Sequence, residues 1–98
     1  MAAVRRLVLD LMKPHELTIV DVASAVADLG PGIDGVNAVL IETDRQVDNV
    51  KLTIEGENIG FSQVEETIGD LGGTIHSVDE VVCGEHTVDE SKTPQDTL

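Results

Sequence analysis

Three features of this 98-residue chain predict a two-layer α+β domain, with four strands in one sheet and two helices on one of its faces. Leu7, Leu9 and Leu11 alternate, as do Val50, Leu52 and Ile54, which is the period of a strand with one buried side. Ile19, Val22, Ala23, Val26 and Leu29 recur at helical spacing, and so do Val64, Ile68 and Leu71. "DLGPGIDGV" at 28–36 matches "DLGGTIHSV" at 70–78, so the chain reads as two copies of one βαβ unit sharing a helix-to-strand turn.

Each element follows from local chemistry. The first strand covers 4–12 and stops at Pro14. Thr18 caps the first helix, with Asp21 in the place of the usual Glu or Gln of a capping box and Leu17 stapling against Val22. "GPG" at 30–32 ends it. Residues 36–43 form the second strand, "DRQVD" at 44–48 a loop, and Val50, Leu52 and Ile54 the third strand. "GENIG" turns the chain into a second helix whose capping box is Ser62 and Glu65. Gly69 inside that helix is expected to allow close packing, and Gly72 and Gly73 end it. "TIHSVDEVVC" is the fourth strand, and its uneven alternation predicts a bulge.

The order βαββαβ, with right-handed crossovers, places both helices on one face. This is a ferredoxin-like sandwich with a four-stranded antiparallel sheet of order 4-1-3-2. The first strand is central, and its pairing is read as parallel with the third strand and antiparallel with the fourth. Residues 1–84 form the domain, and 85–98 read as a flexible acidic tail with little to bury.

Composition bounds the environment. One Phe and no Trp or Tyr leave an aliphatic core. Asp plus Glu number 19 against 6 Lys plus Arg, a net charge of −13. Such self-repulsion destabilises a compact chain in dilute buffer. It is largely screened near 1 M salt, where the Debye length is about 3 Å. A protein of a salt-loving cell fits best. An acidic protein with a basic partner is the competing reading, disfavoured because the acids are scattered. No basic stripe or stacking aromatic supports nucleic-acid binding. No leader and no bilayer-length apolar run is visible, so a cytoplasmic, soluble protein without membrane contact is expected. Cys83 is the single cysteine, which excludes an internal disulfide and a CxxC clip.

"RRLVLDLMKPHE" at 5–16, "NVKLTIEG" at 49–56 and "DLGGTIHSVDEVVCG" at 70–84 together resemble archaeal domain-of-unknown-function family 211 (DUF211) over about residues 4–84. The resemblance implies a ferredoxin-like fold, a homo-oligomer and divalent-cation binding, and no known reaction. The acidic surface looks like a halophilic version.

If Leu7, Leu9 and Leu11 face the helices, then Arg6, Val8, Asp10 and Met12 face the uncovered side, with Lys51, Thr53 and Glu55. His76 or Ser77 falls near Asp10, depending on the bulge. Asp10, Glu55 and His76 are the candidate ligands of a cation or polar molecule. Carboxylates suit Ca²⁺ or Mg²⁺, while an imidazole favours a transition metal. The plain alternative pairs Asp10 with Lys51 or Arg6. His15 and Glu16, in the first strand–helix loop, are candidate ligand-loop residues. That loop carries the metal in heavy-metal-associated domains of this fold, but the CxxC is missing here. It also resembles the ligand loop of small amino-acid-sensing domains, without their Pro-Gly pair. The simpler reading is that Pro14 fixes a turn and Glu16 favours the helix N-terminus.

Enzymatic readings are weak. "MKPHELT" lacks the phosphate-cradling Arg loop of an acylphosphatase. Cys83 has no fixed base beside it and reads as a buried or interface thiol. The expectation is a non-enzymatic, homo-oligomeric module binding a ligand or a divalent cation. The alternative is a structural or regulatory interaction module that docks a protein partner on its open sheet face.

Overall fold

A computed structural model describes residues 2–91. The elements are β1 (Val4–Lys13), α1 (Ile19–Ala27), β2 (Gly35–Thr43), β3 (Asp48–Glu55), α2 (Phe61–Asp70) and β4 (Thr74–Cys83). They build one four-stranded sheet of order β2-β3-β1-β4, the expected order in reverse. Residues 85–91 follow β4 without helix or strand, and the remainder of the expected tail, 92–98, lies outside the described residues.

All three strand pairs are antiparallel, which corrects the parallel β1–β3 pairing. The β1–α1–β2 crossover leaves those two strands parallel with a gap between them. β3 returns from β2 through a short turn and fills the gap, so it must run against both. The bulge expected in β4 is present: its register with β1 shifts between Val4 and Arg6, between Val8 and Leu9, and between Asp10 and Leu11.

The core is one-sided. Leu7, Leu9 and Leu11 of β1 and Val50, Leu52 and Ile54 of β3 are buried with Val22 and Val26 of α1, Val64 and Ile68 of α2, and Ile59. Each fully buried Val, Leu or Ile contributes about 1.5–3 kcal/mol. Thr18 caps α1 as expected, its Oγ1 accepting the Asp21 N–H at 3.1 Å. The second cap differs. Gly60, not Ser62, is the N-cap of α2, and no side chain bonds to the helix end. Phe61 packs against the core, and this draws the helix start forward. Gln63 then lies over Gly60, its Oε1 2.9 Å from where a Cβ would stand.

Two glycines sit where backbones meet. A Cβ on Gly32 would lie 2.1 Å from the Asn58 carbonyl oxygen, and one on Gly56 would lie 2.0 Å from the Gly32 oxygen. The turn before β2 and the turn after β3 are therefore pressed together, and Asn58 N–H donates to the Gly32 carbonyl at 3.2 Å. Gly69 has no such role: nothing lies within 4 Å of its missing Cβ, which corrects the close-packing expectation. Opposite effects follow for the same change. Gly32→Ala is expected to lose about 1–3 kcal/mol through overpacking. Gly69→Ala is expected to gain about 0.5–1 kcal/mol through helix propensity. Urea unfolding of the two variants checks both signs, and a destabilised Gly69→Ala would show that its helix face packs against something.

Candidate functional site

β1 presents Asp10 to the uncovered face, opposite Lys51 of β3 and Ser77 of β4. Its neighbours line an open depression of about 560 Å³, with Val8, Ile41, Asn49 and Lys51 among the carboxylates of Asp10, Glu42, Asp79, Glu80 and Glu90. The partner of Asp10 is neither Lys51 nor Arg6. Asn49 Nδ2 donates to its Oδ1 at 3.3 Å, and among the described residues no ion pair joins it.

Arg6 is engaged elsewhere. Its Nε donates to Glu55 Oε2 at 2.8 Å, and its Nη1 lies 3.5 Å from Glu80 and 3.8 Å from Asp89. Glu55, first and foremost, holds the guanidinium above its usual range.

The three expected ligands therefore do not converge within one chain. Glu55 stands opposite Arg6, four positions along β1 from Asp10. At 3.3–3.4 Å per residue that is roughly 13 Å, beyond the reach of one ion. His76 is the residue skipped where the register passes from Asp10–Ser77 to Leu11–Ile75, and it is exposed. Among the described residues no three His, Cys, Asp or Glu side chains gather in a way that could hold a metal ion. Cys83, read as a buried or interface thiol, is exposed on the single chain.

A second constellation, not foreseen, closes one end of the sheet. Lys13 and Asp48 are 4% and 8% exposed, and they face each other as the terminal pair of β1 and β3. Lys13 Nζ donates to Asp48 Oδ2 at 2.7 Å and to the Pro14 carbonyl at 3.3 Å. Asp48 Oδ1 accepts from the Thr43 hydroxyl and lies 3.0 Å from His15 Nδ1. The carboxylate thus gathers donors from β1, β2 and the β1–α1 loop. Lys13 above all, then Thr43 and His15, pull its pKa from 3.8 to about 2, against the cost of partial burial.

His15 is pinned by this arrangement rather than held out for a ligand. The Arg45 backbone and then Asp48 raise it above its ordinary 6.5. Glu16 is exposed and takes no side-chain hydrogen bond among those present.

The family-211 profile, described as "Uncharacterized ArCR", matches residues 5–97. An uncharacterized protein of Methanocaldococcus jannaschii is 51% identical over 96 residues, covering 98% of each chain. The chain belongs to the DUF211 family. Among the described residues no helix is long and apolar enough to cross a membrane.

Because its folded pKa is below its ordinary value, Asp48 contributes stability that is fully present above about pH 4. That stability is lost as pH falls from 3.8 towards about 2. Asp48→Asn is expected to lower the thermal midpoint clearly at neutral pH and progressively less towards pH 2. A gap between wild type and variant that stays constant over that range would remove Asp48 as the anionic hub.

Proposed function

We propose that this DUF211 protein is a non-enzymatic module that acts by self-association, building a homo-oligomer through the edges of its sheet. The observation that carries this is the state of the edge strands. β2 exposes Val39, Leu40 and Ile41 in a row, with Ile41 at 59% exposure, and β4 exposes Val78 and Val81. Val78 and Val81 stand opposite Leu9 and Leu7, on the helix side of the sheet, yet the helix layer leaves them half exposed. Both strands are long, nine and ten residues, and neither contains Lys or Pro, the usual guards of a free edge. Their outer backbone groups and apolar side chains are together a template for another strand.

A second reading concerns what such an assembly holds. Five carboxylates around one Lys line the open depression, and β1, β2 and β4 supply four of them, Asp79 and Glu80 at the register break of β4. Oxygen donors of this kind suit Ca²⁺ or Mg²⁺. Asp10 and Glu42 are the ligands proposed at its centre. Glu55 and His76 reach such an ion only from a neighbouring subunit. A cytoplasm rich in salt is the proposed setting, since the −13 charge opposes both folding and assembly until it is screened.

Sedimentation in about 1 M KCl, where the Debye length is about 3 Å, is expected to show a species several times the monomer mass. Leu40→Lys is expected to return it to 10.4 kDa. A wild-type protein found only at 10.4 kDa in high salt would overturn the self-association reading. The thermal midpoint is expected to rise between dilute buffer and about 1 M KCl, and a flat or falling midpoint would remove the salt adaptation. Calorimetric titration with Ca²⁺ and Mg²⁺ tests the second reading: Asp10→Asn is expected to weaken binding, and wild-type affinity for both ions in that variant would take Asp10 out of the site.

A further inference from the structure

The two edges of the sheet are not equivalent. The register between β4 and β1 shifts at three places, and β4 carries His76, Asp79 and Glu80 along its length. Bulges and charges of this kind turn an edge away from a further strand. β2 keeps an unbroken register with β3 from Gly35 to Leu40 and shifts only between Leu40 and Glu42. No ionisable residue stands between Asp34 and Glu42, in a chain whose net charge is −13. The stretch "GVNAVLI" at 35–41 is thus an uncharged edge on an acidic molecule.

β3 fixes which way its side chains point. Val36, Ala38 and Leu40 stand opposite the buried Ile54, Leu52 and Val50, and so belong to the helix side. Asn37 and Val39 stand opposite Thr53 and Lys51, on the open side. A strand added to this edge must keep the two rows apart, because residues directly opposite in a sheet share a face. A charged partner finds no counter-charge along 35–41. A second copy of β2 meets the requirement by itself. Antiparallel about Ala38, Val36 meets the second copy's Leu40, Asn37 meets its Val39, and Ala38 meets its own counterpart. Every one of these pairs lies within the unbroken stretch. An axis at Val39 would set Val36 against Glu42 and draw the register break into the contact. An axis at Asn37 would set Leu40 against Asp34.

We propose that β2 pairs antiparallel with β2 of a second copy about a two-fold axis at Ala38, joining two four-stranded sheets into one of eight strands. This rests on the self-association reading and adds to it the edge, the register and the control. The contact is isologous and closes on itself. Val39 and Leu40, about half exposed on the single chain, gain cross-strand neighbours in the pair. β4 is left at both outer margins, and larger species are built from such pairs.

The ends of the contact supply its control. Counted along the strands, Asp34 comes opposite the second copy's Glu42, so two carboxylates face each other at either end. Like charges directly opposite are destabilising. Their repulsion reaches about 10 Å at 0.1 M salt and about 3 Å at 1 M. Pairing is therefore weak in dilute buffer and strengthens with salt.

The test is disulfide trapping of the full chain in about 1 M KCl, in a Cys83→Ser background with one new cysteine at a time. Cβ atoms of directly opposite residues lie about 4.5–5.5 Å apart, near the roughly 3.5–4.5 Å that a disulfide needs. Under a mild oxidant, Ala38→Cys is expected to give a reducible species of twice 10.4 kDa, and Val78→Cys on β4 to give it many-fold more slowly. Hydrogen exchange of the unsubstituted protein asks the same question: raising its concentration is expected to slow the amides of residues 36–40 and leave those of β4 unchanged. Asp34→Asn is expected to move the midpoint of pairing to lower KCl. An oligomer in which Val78→Cys is trapped as fast as Ala38→Cys, or in which the β4 amides are the ones protected, would overturn the β2 contact and leave self-association standing. A midpoint unmoved by Asp34→Asn would overturn the register about Ala38. A wild-type chain that sediments only as a monomer in this salt would remove self-association and the β2 contact together.

Discussion

The structure rests on one contact, that of two small helices with the two inner strands of the sheet. Leu7, Leu9 and Leu11 and their cross-strand partners Val50, Leu52 and Ile54 are sealed by Val22, Val26, Val64 and Ile68. The chain has one Phe and no larger aromatic with which to extend that cover. The nine- and ten-residue helices reach Val36 and Ala38 of β2 and Ile75 of β4 but leave Leu40, Val78 and Val81 about half exposed. The exposure of Leu40, Val78 and Val81 follows from this limit, whereas Val39 and Ile41 are exposed because they lie on the uncovered face.

Where the apolar layer ends, a polar one takes over. Lys13 and Asp48 continue the helix-side rows of β1 and β3 by one step beyond Leu11 and Val50, into a region still shielded from water. A charged pair there is tolerable because each partner has further bonds: Pro14 O for the ammonium, Thr43 and His15 for the carboxylate. No buried side-chain polar atom among the described residues lacks a hydrogen bond. Replacing one partner alone would leave an uncompensated charge, and so the pair fixes the mutual register of β1 and β3 as well as closing their end.

The sequence made the elements and the sheet order legible because period-two and helical patterns are local and the crossover rule is strong. The direction of β3 relative to β1 follows only when the β1–α1–β2 crossover is combined with the short β2–β3 turn. The α2 start is not legible because the Ser-x-x-Glu signal competes with Phe61, whose packing against the core is a tertiary fact. At the site, the alternation of β1 makes the outward placement of Asp10 legible, but not its hydrogen bond to Asn49, which depends on the register of β3. The Asp48 hub had a signal that was available. Extending the alternation 7, 9, 11 to Lys13, and 54, 52, 50 back to Asp48, puts opposite charges face to face on the helix side. A loop over "DRQVD" hides it, because Asp48 is in fact the first residue of β3.

The two faces of the molecule therefore handle charge differently, and the difference bears on assembly. On the helix side, Asp48 is compensated within the chain by Lys13 and, conditionally, by His15. On the open side, Arg6 is shared by Glu55, Glu80 and Asp89, and the carboxylates of Asp10, Glu42 and Asp79 have no ion-pair partner among the described residues. Surface carboxylates left in this way are stable in water at little cost, but they oppose the approach of a second identical face. The proposed self-association through the strand edges meets less of that opposition, because it brings up the acids of β2 and β4 but not Asp10 or Glu55 of the inner strands. Burial of the open face against another copy would instead require a cation or concentrated salt between the carboxylates. For the proposed assembly, the charge distribution therefore favours pairing of edges over pairing of open faces.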